Sequence, residues 1–232
     1  MSLTTVDVVL ELPDTLHRQA LHLSELLVDR MREAGQASRF QLGHSFPEDG
    51  AGPCEPHVSL FMLAVPQREI GEVLDAVRSV AAASAPLRAS GHRYGHNPQG
   101  APELYFQPAA GWRALQRAVV RAVEPLRRGR LREVDPAGER LAEQVERLRR
   151  EEPDGARLRQ LLTYGYDEVD DRFSPHVTLA WPADAVPVDL AGLPAAEDLS
   201  GVLTHLAVFG MNGSGTCTTR YGTFPCEQAK AA

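Results

Sequence analysis

Lysine is almost missing from this chain. Lys230 is the only one among 24 basic residues, and all the others are arginine. Against 31 acidic residues this leaves a formal net charge of −7. A chain so balanced, with no basic tail, is poorly equipped to neutralise the many phosphates of a long nucleic acid. A local basic pocket stays compatible with it, so the expected partner is small or short and bears phosphate. Cysteine is scarce as well: Cys54, Cys217 and Cys226 are the three. Cys54-x-x-His57 is half of a zinc pattern that no C-x-x-C elsewhere completes. Free thiols, no metal and no cofactor are the expectation. No apolar run of eighteen or more residues exists, which argues against a membrane span. Met1 to Asp7 lacks the basic and apolar regions of a secretory signal, leaving the cytoplasm as the default location.

What the chain does have is a near-repeat. Pro56-His57-Val58-Ser59-Leu60 returns as Pro175-His176-Val177-Thr178-Leu179, and 119 residues separate the two histidines (176 − 57). On a β-strand successive side chains point to opposite faces. His57 and Ser59 then share one face while Val58 and Leu60 share the other, and the second copy behaves alike. Each strand buries an apolar face and presents an imidazole with a hydroxyl. His22-Leu23-Ser24 has the same local pattern but sits among Leu16, Ala20, Leu23, Leu27 and Met31 at helical spacing. Positions i and i+2 of a helix do not face each other, so that triplet cannot act as a unit. The bland reading of the two copies is a pair of buried strands whose histidines are merely hydrogen-bonded.

The remaining pattern divides the chain into alternating elements. Thr4–Leu12 reads as a strand closed by Pro13, with Asp14 as N-cap of the following helix. Arg39–Leu42 reads as a short strand and Gly43–Glu55 as a loop. The first histidine strand runs to about Val65, and a helix follows from Gln67 to Ala83. Pro86–Tyr94 and Glu103–Gln107 form a hairpin, and Trp112–Arg128 is a helix. Glu133–Leu162 is dense in Arg, Glu, Leu and Ala and is broken by Pro153-Asp154-Gly155. It reads as two amphipathic helices whose charges face water, with a lid or dimer contact as the less favoured reading. Ser174–Trp181 is the second histidine strand, and Gly201–Met211 with Thr216–Phe224 is a closing hairpin around Asn212-Gly213-Ser214-Gly215.

The predicted architecture is a single α+β domain over 1–232. It is bilobal, with two antiparallel sheets related by a rough two-fold about a central cleft, and helices on the outer faces. The first half covers about 1–130, the charged helical insertion about 133–162 and the second half about 163–226.

Two imidazoles on opposite walls of a cleft suit reaction at a phosphodiester. One takes a proton from the attacking oxygen while the other gives one to the departing oxygen. Ser59 and Thr178 would donate to the non-bridging oxygens. Nothing in the sequence says which histidine is acid and which base. These motifs, with Arg172-Phe173-Ser174-Pro175 leading into the second, resemble the two-histidine (2H) phosphoesterase superfamily, which includes 2′,5′ RNA ligase-like proteins and cyclic nucleotide phosphodiesterases. The resemblance extends to the order of elements over most of the chain. It implies metal-independent cleavage or formation of a 2′-linked or cyclic phosphodiester, with catalytic roles for His57, Ser59, His176 and Thr178. The inter-motif segment is longer than in compact members, and Ser59 stands where threonine is usual. Arg172, Tyr105, Trp181 and Tyr166 are secondary candidates for substrate contact by ion pairing or stacking. RNA end processing or 2′,5′ ligation, and a binding module without turnover, are the alternative activities.

Overall fold

Residues 3–46, 51–135, 138–213 and 215–227 are described by a computed structural model of the chain. Met1, Ser2, residues 47–50 of the expected loop, residues 136–137 of the charged stretch, Ser214 of the expected turn and Lys230 lie outside the described residues. In chain order the elements are β1 (Leu3–Glu11), α1 (Asp14–Glu33), β2 (Ser38–Gln41), β3 (Ser45–Phe46), β4 (Ala51–Pro53), β5 (His57–Pro66) and α2 (Ile70–Ala82). Then follow β6 (Leu87–His96), β7 (Pro102–Phe106), α3 (Ala110–Arg127), α4 (Leu141–Glu151) and α5 (Ala156–Tyr164). The chain ends with β8 (His176–Thr178), β9 (Ala180–Pro182), β10 (Ser200–Leu203), β11 (His205–Met211) and β12 (Cys217–Pro225).

Two four-stranded antiparallel sheets carry the fold. One has the order β12-β11-β1-β5 and the other β10-β6-β7-β8. Each histidine motif therefore lies on an edge strand, β5 in one sheet and β8 in the other, and these two strands touch. The β-branched run in β1 puts Val6, Val8 and Leu10 into the main core, where they meet Val58 and Leu60 of β5 and Val177 and Leu179 around β8. Helices α2 and α3 cover the first sheet, and α1 packs on β2, β9 and β10. On the other face of the first sheet a smaller cluster of Val9, Ala207, Phe209 and Cys217 lies below the motif residues.

Four expectations change. The sheets do not follow the two sequence halves: the hairpin β6–β7, assigned to the first half, pairs with the second motif strand, while β11–β12 of the second half pair with β1. The run expected as one strand from Gly201 to Met211 is cut at Thr204, with β10 joining β6 and β11 joining β1. The second motif strand is likewise cut after Thr178, and β9 turns away to pair with β2. Residue Asp14 is the first helical residue and Pro13 the N-cap, so Asp14 acts through its charge on the first turn, not as a cap.

The charged stretch is more than a solvated pair. Leu141, Val145 and Leu148 of α4 pack on Leu158 and Leu161 of α5 in a core of their own. Gln160 of α5 then pins the next segment through both backbone groups of Val169, at 2.6 and 2.9 Å.

Candidate active site

Period-two alternation places the motif residues as expected. Val58, Leu60, Val177 and Leu179 are buried, while His57, Ser59, His176 and Thr178 are partly exposed and line one cavity of about 220 Å³. The decoy His22 points into solvent beside Glu25.

The two imidazoles are held identically. The Nδ1–H of His57 donates to the Glu55 carbonyl at 2.6 Å, and that of His176 donates to the Ser174 carbonyl at 2.8 Å. Each bond runs to the residue two positions back, and because a carbonyl can only accept, it fixes the proton on Nδ1. Both Nε2 atoms are thereby left for chemistry, on side chains that are each 18% exposed.

Their surroundings differ. His176 Nε2 lies 3.6 Å from Glu103 Oε1, a carboxylate brought by β7 through the pairing of Glu103 with Thr178. Burial works against a charged ring there, but the Glu103 and Glu168 carboxylates and the Ser174 carbonyl outweigh it and raise the His176 pKa. His57 Nε2 faces the Cys217 thiol at 3.6 Å and Asp7 Oδ2 at 3.7 Å. Burial lowers the His57 pKa, and the positive charge of His176 adds to that.

Asp7 is completely buried on β1, and burial pushes its carboxyl up to about 7 against the pull of Ser59, Arg132 and Cys217. Its Oδ2 accepts the Ser59 hydroxyl at 2.6 Å. The only proton of Ser59 is thus committed to Asp7, whereas the Thr178 hydroxyl has no partner among the described residues. A bulge between Val8 and Val9 in the pairing with β5 sets this register. It leaves the Leu60 carbonyl to the buried Gln116 Nε2 at 3.2 Å, and the same amide holds the Glu168 carbonyl at 2.6 Å and the Asp170 N–H at 3.0 Å. One side chain of α3 so ties the first motif to the lead-in of the second.

Of the secondary candidates, Tyr166 and Trp181 are buried in the cavity wall and Arg172 sits at its exposed rim, donating to the Asp167 carbonyl at 2.7 Å. Tyr105 is not among the lining residues. It lies beside His176 with ring centroids 5.7 Å apart and carries Arg93 over its other face at 4.0 Å. Sequence reasoning missed Asp7, Cys217, Glu103, Glu168 and Arg132. Arg132 is buried in the wall with its Nε unpartnered among the described residues and its guanidinium 5.7 Å from the Tyr166 ring. The insertion adds Gln144 and Arg157, the latter bound to Asp167 at 2.6 Å.

No protein-family model matches the sequence, and no curated protein matches it. Solved structures nonetheless share its fold across nearly the whole chain. TT0787 of Thermus thermophilus superposes with a TM-score of 0.58 at 17% identity, covering 97% of this chain and 100% of that one. LigT of E. coli complexed with 3′-AMP gives 0.51 at 14% identity, covering 98% and 100%. A crystal structure described as a phosphoesterase gives 0.50 at 15% identity, covering 97% and 99%. At these identities the likeness is one of fold: an α+β arrangement of antiparallel sheets with outer helices.

Proposed function

We propose that this chain is a 2H phosphoesterase that hydrolyses a 2′,3′-cyclic or 2′-linked phosphodiester of a nucleotide or short oligonucleotide. The observation that carries the reading is the convergence of two identically anchored histidines, each with a hydroxyl two residues on, in a single cavity. The division of labour follows from their neighbours. His57 Nε2 bears a lone pair and takes a proton from water, whose oxygen attacks phosphorus. His176, held as imidazolium by Glu103 and Glu168, gives its Nε2 proton to the departing ribose oxygen as the P–O bond breaks. The product is a phosphomonoester, and solvent returns the proton from His57 to His176. Thr178 donates to a non-bridging oxygen, joined by Ser59 once its hydrogen turns from Asp7, and Arg132 supplies positive charge from the wall. Trp181 and Tyr166 offer apolar faces to the nucleoside, with Arg172 at the rim as a further phosphate contact. LigT, which shares the fold, was crystallised with phosphate and with 3′-AMP, a small nucleotide of this class.

Turnover of a panel of 2′,3′-cyclic nucleotides in EDTA tests the reading. Hydrolysis of at least one member at undiminished rate in chelator is expected. No turnover across nucleotides and short oligonucleotides, or turnover abolished by chelator, would contradict it.

A further inference from the structure

Three strands far apart in sequence bring a set of ligand atoms together at His57. Asp7 of β1, His57 of β5 and Cys217 of β12 bring one ligand atom each to within 4.8 Å of one another. The triangle is nearly regular: His57 Nε2 to Cys217 Sγ is 3.6 Å, His57 Nε2 to Asp7 Oδ2 is 3.7 Å and Cys217 Sγ to Asp7 Oδ2 is 3.9 Å. Zinc bound tetrahedrally at its usual distances to sulfur, nitrogen and oxygen sets such atoms about 3.3–3.6 Å apart. A contraction of a few tenths of an ångström therefore suffices.

The atoms around the triangle are those that such ligands require. A coordinating imidazole donates its other N–H to a carbonyl or carboxylate, and a coordinating carboxylate is itself hydrogen-bonded. His57 Nδ1–H meets the Glu55 carbonyl and Asp7 Oδ2 accepts from Ser59. The second carboxylate oxygen, Asp7 Oδ1, is buried without a hydrogen-bond partner among the described residues. His57 opens the cluster to the cavity, which gives an ion a way in and leaves a fourth position for water or a ligand oxygen. Cys217 packs with Val9, Ala207 and Phe209 as a free, fully buried thiol whose sulfur lies beside that acceptor nitrogen.

We propose that Asp7, His57 and Cys217 form a three-ligand site for a zinc-class divalent cation, and that an ion bound there switches the enzyme off by occupying His57 Nε2. Binding exchanges the thiol proton for the metal: the S–H bond breaks, the S–Zn bond forms and the proton leaves to solvent. The first half of this stands on the geometry alone, and the second half rests on the phosphoesterase reading. Zinc thus acts as an inhibitor of a reaction that itself runs without metal.

Chelator-stripped protein titrated with Co²⁺ tests the site independently of turnover. One equivalent is expected to give cobalt–thiolate charge-transfer absorption and the intense visible bands of a tetrahedral ion, both lost on adding one equivalent of Zn²⁺. Cys217→Ala and Cys217→Ser should lose the thiolate band, with circular dichroism confirming that each is folded, and Asp7→Asn should weaken binding at least tenfold. Absence of the band in wild type, or its survival in both cysteine variants, overturns the site. In turnover assays Zn²⁺ should inhibit the wild type at least tenfold and leave Cys217→Ala, active in EDTA, at its chelated rate. Equal inhibition of both proteins, or activation by Zn²⁺, overturns the inhibitory role even where the cobalt spectrum stands.

Discussion

Ser59 and Thr178 occupy equivalent places in the two motifs, yet their hydroxyls are differently committed. Ser59 holds the buried Asp7 carboxylate, and Thr178 faces the cavity with no hydrogen-bond partner among the described residues. Their alanine variants should separate accordingly. Thr178→Ala removes a free donor to the reacting phosphate and is expected to lower kcat by about 10²–10³-fold with little change in stability. Ser59→Ala strips a buried carboxylate of its donor and is expected to cost about 1–3 kcal/mol in urea melts, with the smaller kinetic loss. Steady-state kinetics beside denaturation curves check this, and a reversal of the two patterns would contradict it. At this scale the histidine and hydroxyl pairs were legible because period two is a local property. Asp7, Glu103 and Cys217 were not, because β1, β7 and β12 deliver them through pairing that no short window contains. Arg132 was hidden by abundance, one among 23 arginines (24 basic residues less Lys230).

Among the elements, the insertion makes the plainest case. Leu141, Val145 and Leu148 advertise a helix by spacing, but nothing in that spacing says that their partners are Leu158 and Leu161 or that Gln144 and Arg157 reach the cavity. A core separate from the main one should open separately. Leu161→Ala, at a position 1% exposed, is expected to cost the insertion about 2–5 kcal/mol. Amide exchange should quicken across 141–164 while β1 and β5 keep their protection, and KM should rise through the loosened wall. Equal acceleration throughout the chain would show that the insertion is not an independent unit. Strand positions were read well where proline or a β-branched run marks them. The cuts at Thr204 and after Thr178 escaped because neither point carries a proline or glycine to mark the change of sheet.

Over the whole molecule, the interleaving of the two sheets was the illegible part. Two lobes about a cleft follow from two motifs in comparable settings, but the exchange of β6–β7 and β11–β12 between sequence halves depends on long-range pairing. That exchange gives each motif its edge position, so the cleft is the seam between two edges. A seam of this size meets one or two phosphates. Single-stranded RNA should therefore bind with a salt slope of about −1, since the slope is roughly −0.7 per phosphate neutralised. A slope of about −4 or steeper, measured by titration at several salt concentrations, would point to an extended nucleic-acid surface. Proton transfer by the two histidines is tested most directly by the pH dependence of kcat/KM for a cyclic nucleotide in EDTA. A base must be unprotonated, so the rate should rise as pH climbs through the value of His57, set below 6.5 by burial. An acid must be protonated, so the rate should fall as pH passes the value of His176, raised above 6.5 by Glu103 and Glu168 against burial. The expected profile is a bell. His57→Ala should erase its acid limb and His176→Ala its alkaline limb, each at a rate about 10²–10⁴-fold lower. A flat profile, or limbs that persist in both variants, would contradict the assignment of proton transfer to this pair.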